Sequence, residues 1–192
     1  MPRACGECTL CCKVLAIAEL EKPKDSWCRH CNVGQGCTIY DQRPSPCRSF
    51  NCGYLVWDQL PERWFPAKCK MVMAFELEGK RIAIHVDPSR PDAWRQSPYY
   101  EDIKGLAKQS VDGTKQVVVC VEQRTIVILP ERDVDLGICS RDDRIFTYQR
   151  KSARGLEWHA EKLHKDDPRI SGMIAGWPKI APDMNAGSRP PR

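Results

Sequence analysis

The sequence predicts an α+β protein: a small, loop-rich cysteine module followed by an antiparallel, β-rich half with two helices. Three observations lead there. Nine of the 12 cysteines lie in the first 52 of 192 residues. Beyond residue 69 the chain turns to short β-branched runs separated by turn signals. Two stretches among those runs carry helical rather than alternating apolar spacing. A hydrophobic content of 42% with 29% charged residues fits a globular chain and excludes wholesale disorder.

Residues 1–68 form the first segment, with loops set by Gly34, Gly36, Pro44 and Pro46. Within it, residues 12–21 have roughly helical apolar spacing and are ended by Pro23. Residues 53–68 are rich in aromatics, including Tyr54, Trp57, Trp64 and Phe65, and are expected to pack the module onto the second segment, residues 69–165. In that segment, strands are expected at 70–77 and 81–86, joined by the turn Glu78-Gly79-Lys80. A helix is expected at 98–110, with Ser97 as N-cap and Pro98 at its first position. Residues 116–122 and 125–129 read as a second hairpin, and 133–136 and 144–149 as short strand pieces. Residues 152–165 are expected to form a second helix, with Leu156, His159, Ala160 and Leu163 on one face. Residues 166–192 are expected to be mostly irregular, since their end is rich in Pro, Gly and small polar residues.

Charge gives no indication of a nucleic-acid partner. Residues 1–52, 53–151 and 152–192 carry +2, +1 and +2, so the net +5 is spread evenly and no basic block points to nucleic acid. No window approaches the 18 apolar residues of a membrane span. Cysteines begin at once with no apolar leader core after them, so the expected compartment is cytoplasmic. In a reducing compartment, clustered thiols are metal ligands or redox centres more often than disulfides.

The spacing is Cys5-x2-Cys8-x2-Cys11-Cys12, then Cys28-x2-Cys31, then Cys37, Cys47 and Cys52. A Cys-x2-Cys turn brings two sulfurs within reach of one ion and leaves backbone amides to hydrogen-bond the thiolates. Eight thiols would serve two tetrahedral zinc ions. The triple run Cys5, Cys8, Cys11 instead matches the start of a ferredoxin pattern, though Cys12 comes directly where that pattern has a spaced cysteine before proline. Iron–sulfur, iron and zinc therefore all stay open. Arg43 and Arg48 are candidates to balance thiolate charge, and Tyr40 and Phe50 to cover the site.

These residues also carry a resemblance. CGECTLCC at 5–12, CRHC at 28–31 and GCTIYDQRPSPCRSFNC at 36–52 resemble the YkgJ-type cysteine-cluster family, described as zinc- or iron-chelating, whose cysteine region is similar to that of flagellin lysine N-methylases. The resemblance covers about a quarter of the chain. It implies Cys5, Cys8, Cys11, Cys12, Cys28, Cys37, Cys47 and Cys52 as metal ligands. Cys31, where many members have an apolar residue, is a further candidate. Ile39, Tyr40, Arg43, Pro44, Arg48 and Phe50 match its non-cysteine signature.

Three functions are expected on these grounds. The first is a bacterial metal-binding protein with a redox or metal-handling role. The second, by analogy, is a protein-modifying enzyme using a cluster and S-adenosylmethionine. The third is a zinc-stabilised module that binds a protein partner. Outside the module, Cys120 reads as a small buried hydrophobe and His85, His159 and His164 as structural, while Cys69 and Cys139 stand isolated.

Overall fold

The computed structural model describes residues 3–110, 115–153 and 155–174. Its centre is a five-stranded sheet of β3 (Met71–Glu76), β4 (Arg81–Val86), β5 (Gln116–Val121), β6 (Arg124–Ile128) and β7 (Asp133–Ile138), in that spatial order. The β3–β4 turn passes through Leu77, Glu78 and Gly79, all at positive φ. The β5–β6 turn has Glu122 in the same region. Both hairpins are where the sequence puts them.

One pair departs from the antiparallel expectation: β4 and β5 run parallel, with Arg81 opposite Gln116 and Val86 opposite Val121. Parallel neighbours need a long crossover, and the helix α5 (Tyr99–Gln109) lies in it. The strand–helix–strand order was itself the signal for this arrangement. Pro98 is the N-cap of α5 rather than its first residue, and Ser97 makes no capping bond.

Two expected helices are corrected. Residues 12–21 hold only the four-residue α1 (Cys11–Val14) and a 3-10 turn at Ala18–Leu20. Leu15 is extended, and the Lys22 ammonium donates to the Lys13 and Leu15 carbonyls that a longer helix would have used. Residues 152–165 are mostly strand: β9 (Gly155–His164) pairs over its whole length with β8 (Asp143–Ser152). Here cross-strand pairing overrides a helical pattern. Trp158 and Ala160 alternate onto the face that packs with Ile145 against Ala83, Val118 and Val127, while Leu156 is 65% exposed. Residues 166–174 contain the short helix α6 (Arg169–Ile174), and the end of the expected irregular tail lies outside the described residues.

The opposite face of the sheet carries the larger core. Ile82, Ile84, Val117 and Val119 meet Ile103 and Ala107 of α5 there. The same buried cluster includes Leu10, Val14, Cys52, Tyr54 and Trp64, so the cysteine-rich segment shares its core with the sheet. Trp64 donates its indole N–H to Asp102 of α5 at 2.8 Å, with Arg63 on the same carboxylate. Lys13 of α1 meets Asp87, just after β4, at 2.6 Å.

Candidate metal centre

Each cysteine step is a tight turn. The Cys8 amide donates to the Cys5 carbonyl at 2.9 Å, with Gly6 at φ +51°, and the Cys12 amide donates to the Thr9 carbonyl at 2.9 Å. The Cys28 amide donates to Cys12, and the Cys31 amide to Cys28, both at 3.0 Å. Strands β1 (Cys31–Asn32) and β2 (Gly36–Cys37) pair Cys31 with Cys37. The Gly34 amide donates to the Thr9 hydroxyl at 3.1 Å and ties this hairpin to the first run. Pro44 and Pro46 set the start of α2 (Ser45–Ser49), which carries Cys47.

These turns bring Cys5, Cys8, Cys11, Cys12, Cys28, Cys37 and Cys47 to the wall of one cavity of about 440 Å³. Cys52, the eighth expected ligand, is outside that lining; burial raises its thiol, and Cys5 and Cys8 are near enough to add to the rise. Cys52 is the N-cap residue of α3 (Gly53–Val56), where its carbonyl accepts from the Leu55 amide at 2.9 Å, and it is buried in the shared core. Cys31 is outside the lining but hydrogen-bonds with Cys12, so the structure brings it into the cluster. All twelve cysteines are free. Among the described residues no three Cys, His, Asp or Glu side chains stand in chelating geometry, so the thiols converge without closing on one point.

The electrostatics divide the thiols. A hydrogen bond with Cys11 holds Cys12 down to about 6 against the opposing effect of burial, helped by Cys31, Lys22 and Arg43. Cys11 is raised by the same hydrogen bond and by burial. Burial and the neighbouring thiols push Cys31 and Cys47 up to about 11, and Cys5 also rises. Hydrogen bonding from Cys11 and Cys31, aided by the nearby cations, therefore favours one thiolate first.

Of the four accessory residues, Arg43 and Phe50 fit their expected places: both line the cavity, and Arg43 faces Cys5, Cys12 and Cys47. Tyr40 lines it too, yet is 60% exposed, with the Arg43 guanidinium stacked 3.6 Å from its ring centre. Arg48 is half-buried and outside the lining. The residue sequence reasoning missed is Lys22. Its side chain is buried beside Cys28, Cys12 and Cys11, and burial pulls its ammonium below the ordinary lysine value. Nothing in its surroundings in sequence marks it.

The sheet supplies the far wall through Ala74, Phe75, Glu76 and His85. Of the isolated cysteines, Cys69 is structural: it is buried, its thiol lies 3.3 Å from the Met71 carbonyl, and burial pushes it up to about 12. Cys139 lies beside the Gly137 carbonyl. Cys120 is partly buried against the smaller core, opposite His85 in the β4–β5 register. No helix among the described residues is long and apolar enough to cross a membrane. No family model, curated protein or solved structure matches the chain, so the resemblance of residues 5–52 rests on its motifs alone.

Proposed function

We propose that residues 1–52 bind a thiolate-ligated metal centre, iron–sulfur, iron or zinc, and that the protein has a redox or metal-handling role. The observation that carries this reading is the convergence of seven cysteines, drawn from four separate turns, on one cavity of about 440 Å³. Soft thiolates suit iron–sulfur clusters and zinc, and not magnesium or calcium. One tetrahedral zinc ion uses four thiolates, so seven thiols are enough for one zinc ion or for an iron–sulfur cluster. Lys22 and Arg43 supply cations beside the thiols, which lowers the cost of gathering several negative sulfurs. The loops must close further on the ion, and protons leave the raised thiols as they do.

Anaerobic purification followed by iron, zinc and acid-labile sulfide analysis tests the reading. The expected result is at least one bound metal per chain, with sulfide if the centre is a cluster. Metal-free protein with oxidised cysteine pairs in the cell would overturn it. A second reading, zinc as a purely structural staple for a partner-binding protein, draws support from the core shared by Leu10, Val14 and Tyr54 with the sheet. Zinc without sulfide, together with a protein that unfolds on chelation, selects it.

A further inference from the structure

His85 of β4 and Cys120 of β5 are direct register partners, which puts both side chains on one face of the sheet. Glu76 of β3 belongs to the same face, because Val72 pairs with His85 and side chains alternate with period two along β3. The Ala74–Ala83 pair lies between Glu76 and His85 and leaves room for the longer side chains to lean together. The Glu76 carboxylate reaches 3.5 Å from His85 Nε2. Arg81 approaches the other carboxylate oxygen at 3.7 Å. The ring nitrogens of His85 are buried and make no hydrogen bond of good geometry among the described residues, with Glu76 and Cys120 the ionisable groups that bear most on them.

Burial opposes charge on both partners, yet their mutual attraction prevails. It holds His85 above the ordinary histidine value and Cys120 below the ordinary thiol value. Lys24 adds a second cation near the thiol and Glu76 opposes it, while Asp25 faces His85. Lys24 is itself held by Asp25 and by the Glu122 carbonyl. Cys120 is half-buried, and His85 and Glu76 open onto the cysteine cavity.

We propose that Cys120, activated by His85 and oriented through Glu76, is a nucleophilic site separate from the cysteine module that takes low-molecular-weight disulfides. In the exchange, the Cys120 sulfur bonds to one sulfur of the disulfide as the disulfide's own S–S bond breaks. The second sulfur leaves with the electron pair and takes a proton from the His85 imidazolium or from water. Cys120 is oxidised to a mixed disulfide, and the small disulfide is reduced to one thiol.

The test uses the full chain and a small aromatic disulfide, 4,4′-dithiodipyridine, with tryptic peptide mapping of the products. Cys120 is the only cysteine of the peptide 116–124 and Cys139 the only one of 133–141, so each reports its own rate. Both are half-buried, which makes Cys139 a fair reference. At about pH 6, Cys120 should form the mixed disulfide roughly tenfold faster than Cys139. His85→Gln should bring it to the reference rate, and Glu76→Gln should slow it several-fold. Equal rates in the unaltered chain, or an unchanged rate in a folded His85→Gln protein, would overturn the proposal. If His85→Gln fails to fold, Glu76→Gln decides: an unchanged rate there overturns it equally. Because His85 and Glu76 wall the cysteine cavity, the assay is run on metal-loaded and metal-free protein, and Cys120 must outpace Cys139 in both.

Discussion

Val14→Ala tests whether the cysteine-rich segment and the sheet are one cooperative unit. Val14 sits on α1 between Cys11 and the buried sheet residues and is fully buried, at 0% exposure. The change removes two methyl groups, a transfer loss of about 1.6 kcal/mol at roughly 0.8 kcal/mol per group. If the site does not collapse, a void of about 50 Å³ adds about 1.2 kcal/mol. The expected loss is therefore about 1.5–3 kcal/mol. With a urea slope of about 2 kcal/mol/M, the midpoint falls by roughly 1 M. Urea unfolding should be followed by tryptophan fluorescence, which reports Trp64 and Trp94 at 2% and 1% exposure, and in parallel by the rate of thiol labelling in residues 5–52. Both transitions should shift together. If thiol labelling shifts while the tryptophan transition stays, the segment unfolds alone and the shared-core argument fails. Metal at about 100 times its Kd should add about 2.7 kcal/mol to the same single transition, enough to offset the mutation.

Other perturbations probe the same junction. A Cβ on Gly53 would stand 2.9 Å from Met73 Cγ and 3.0 Å from its Cβ, so Gly53→Ala should lose about 1–3 kcal/mol from overpacking, less the roughly 1 kcal/mol gained in helix propensity; a rise in thermal midpoint would refute the close-approach reading. Asp87→Asn leaves the Lys13 ammonium without its buried counter-ion and should cost about 3 kcal/mol near neutral pH, measured by urea unfolding. Burial would raise the Asp87 carboxyl, but Lys13 and Ser89 outweigh it and hold it below the ordinary range. Its contribution is therefore present above the unfolded value of about 3.9 and is lost as pH falls through the folded one, so the gap between wild type and Asp87→Asn should narrow below about pH 4; a constant gap would contradict this. Lys22→Met strands the Lys13 and Leu15 carbonyls and should cost about 1–3 kcal/mol by the same assay, and weaken metal binding measured by competition with a chromogenic chelator; unchanged stability would remove Lys22 from its assigned place.

What could be read from the chain was whatever is local. The turn at Glu78-Gly79-Lys80, the α5 helix behind Pro98 and the valine run at 117–119 each carry their own signal, and all three appear where expected. What failed was set by distant partners. Residues 155–164 satisfy a helical period through Leu156, His159, Ala160 and Leu163 and a strand period through Trp158 and Ala160, and only β8 decides between them. Residues 12–21 were shortened by one lysine, whose buried ammonium ends α1 early. His85 and Cys120 lie 35 positions apart and meet only because β4 and β5 run parallel, a register that no local pattern encodes.

The same contrast separates Cys52 from the other module thiols. In the motif it is one more cysteine at a signature position. In the fold it begins α3, and the next residue, Gly53, lies so close to Met73 of β3 that even a methyl group would collide. Lifting α3 from the sheet would expose Tyr54 and Met73, both buried in the shared core, so Cys52 is held to the position that α3 gives it. Releasing two such side chains costs about 3–6 kcal/mol, while seven other thiols already line the cavity. Cys52→Ser should therefore leave metal content unchanged and lower stability, whereas Cys12→Ser should lower metal content. Cys12 has the lowered thiol, contacts Cys11 and Cys31, and faces both Lys22 and Arg43, so it is the thiolate on which a centre would begin to assemble.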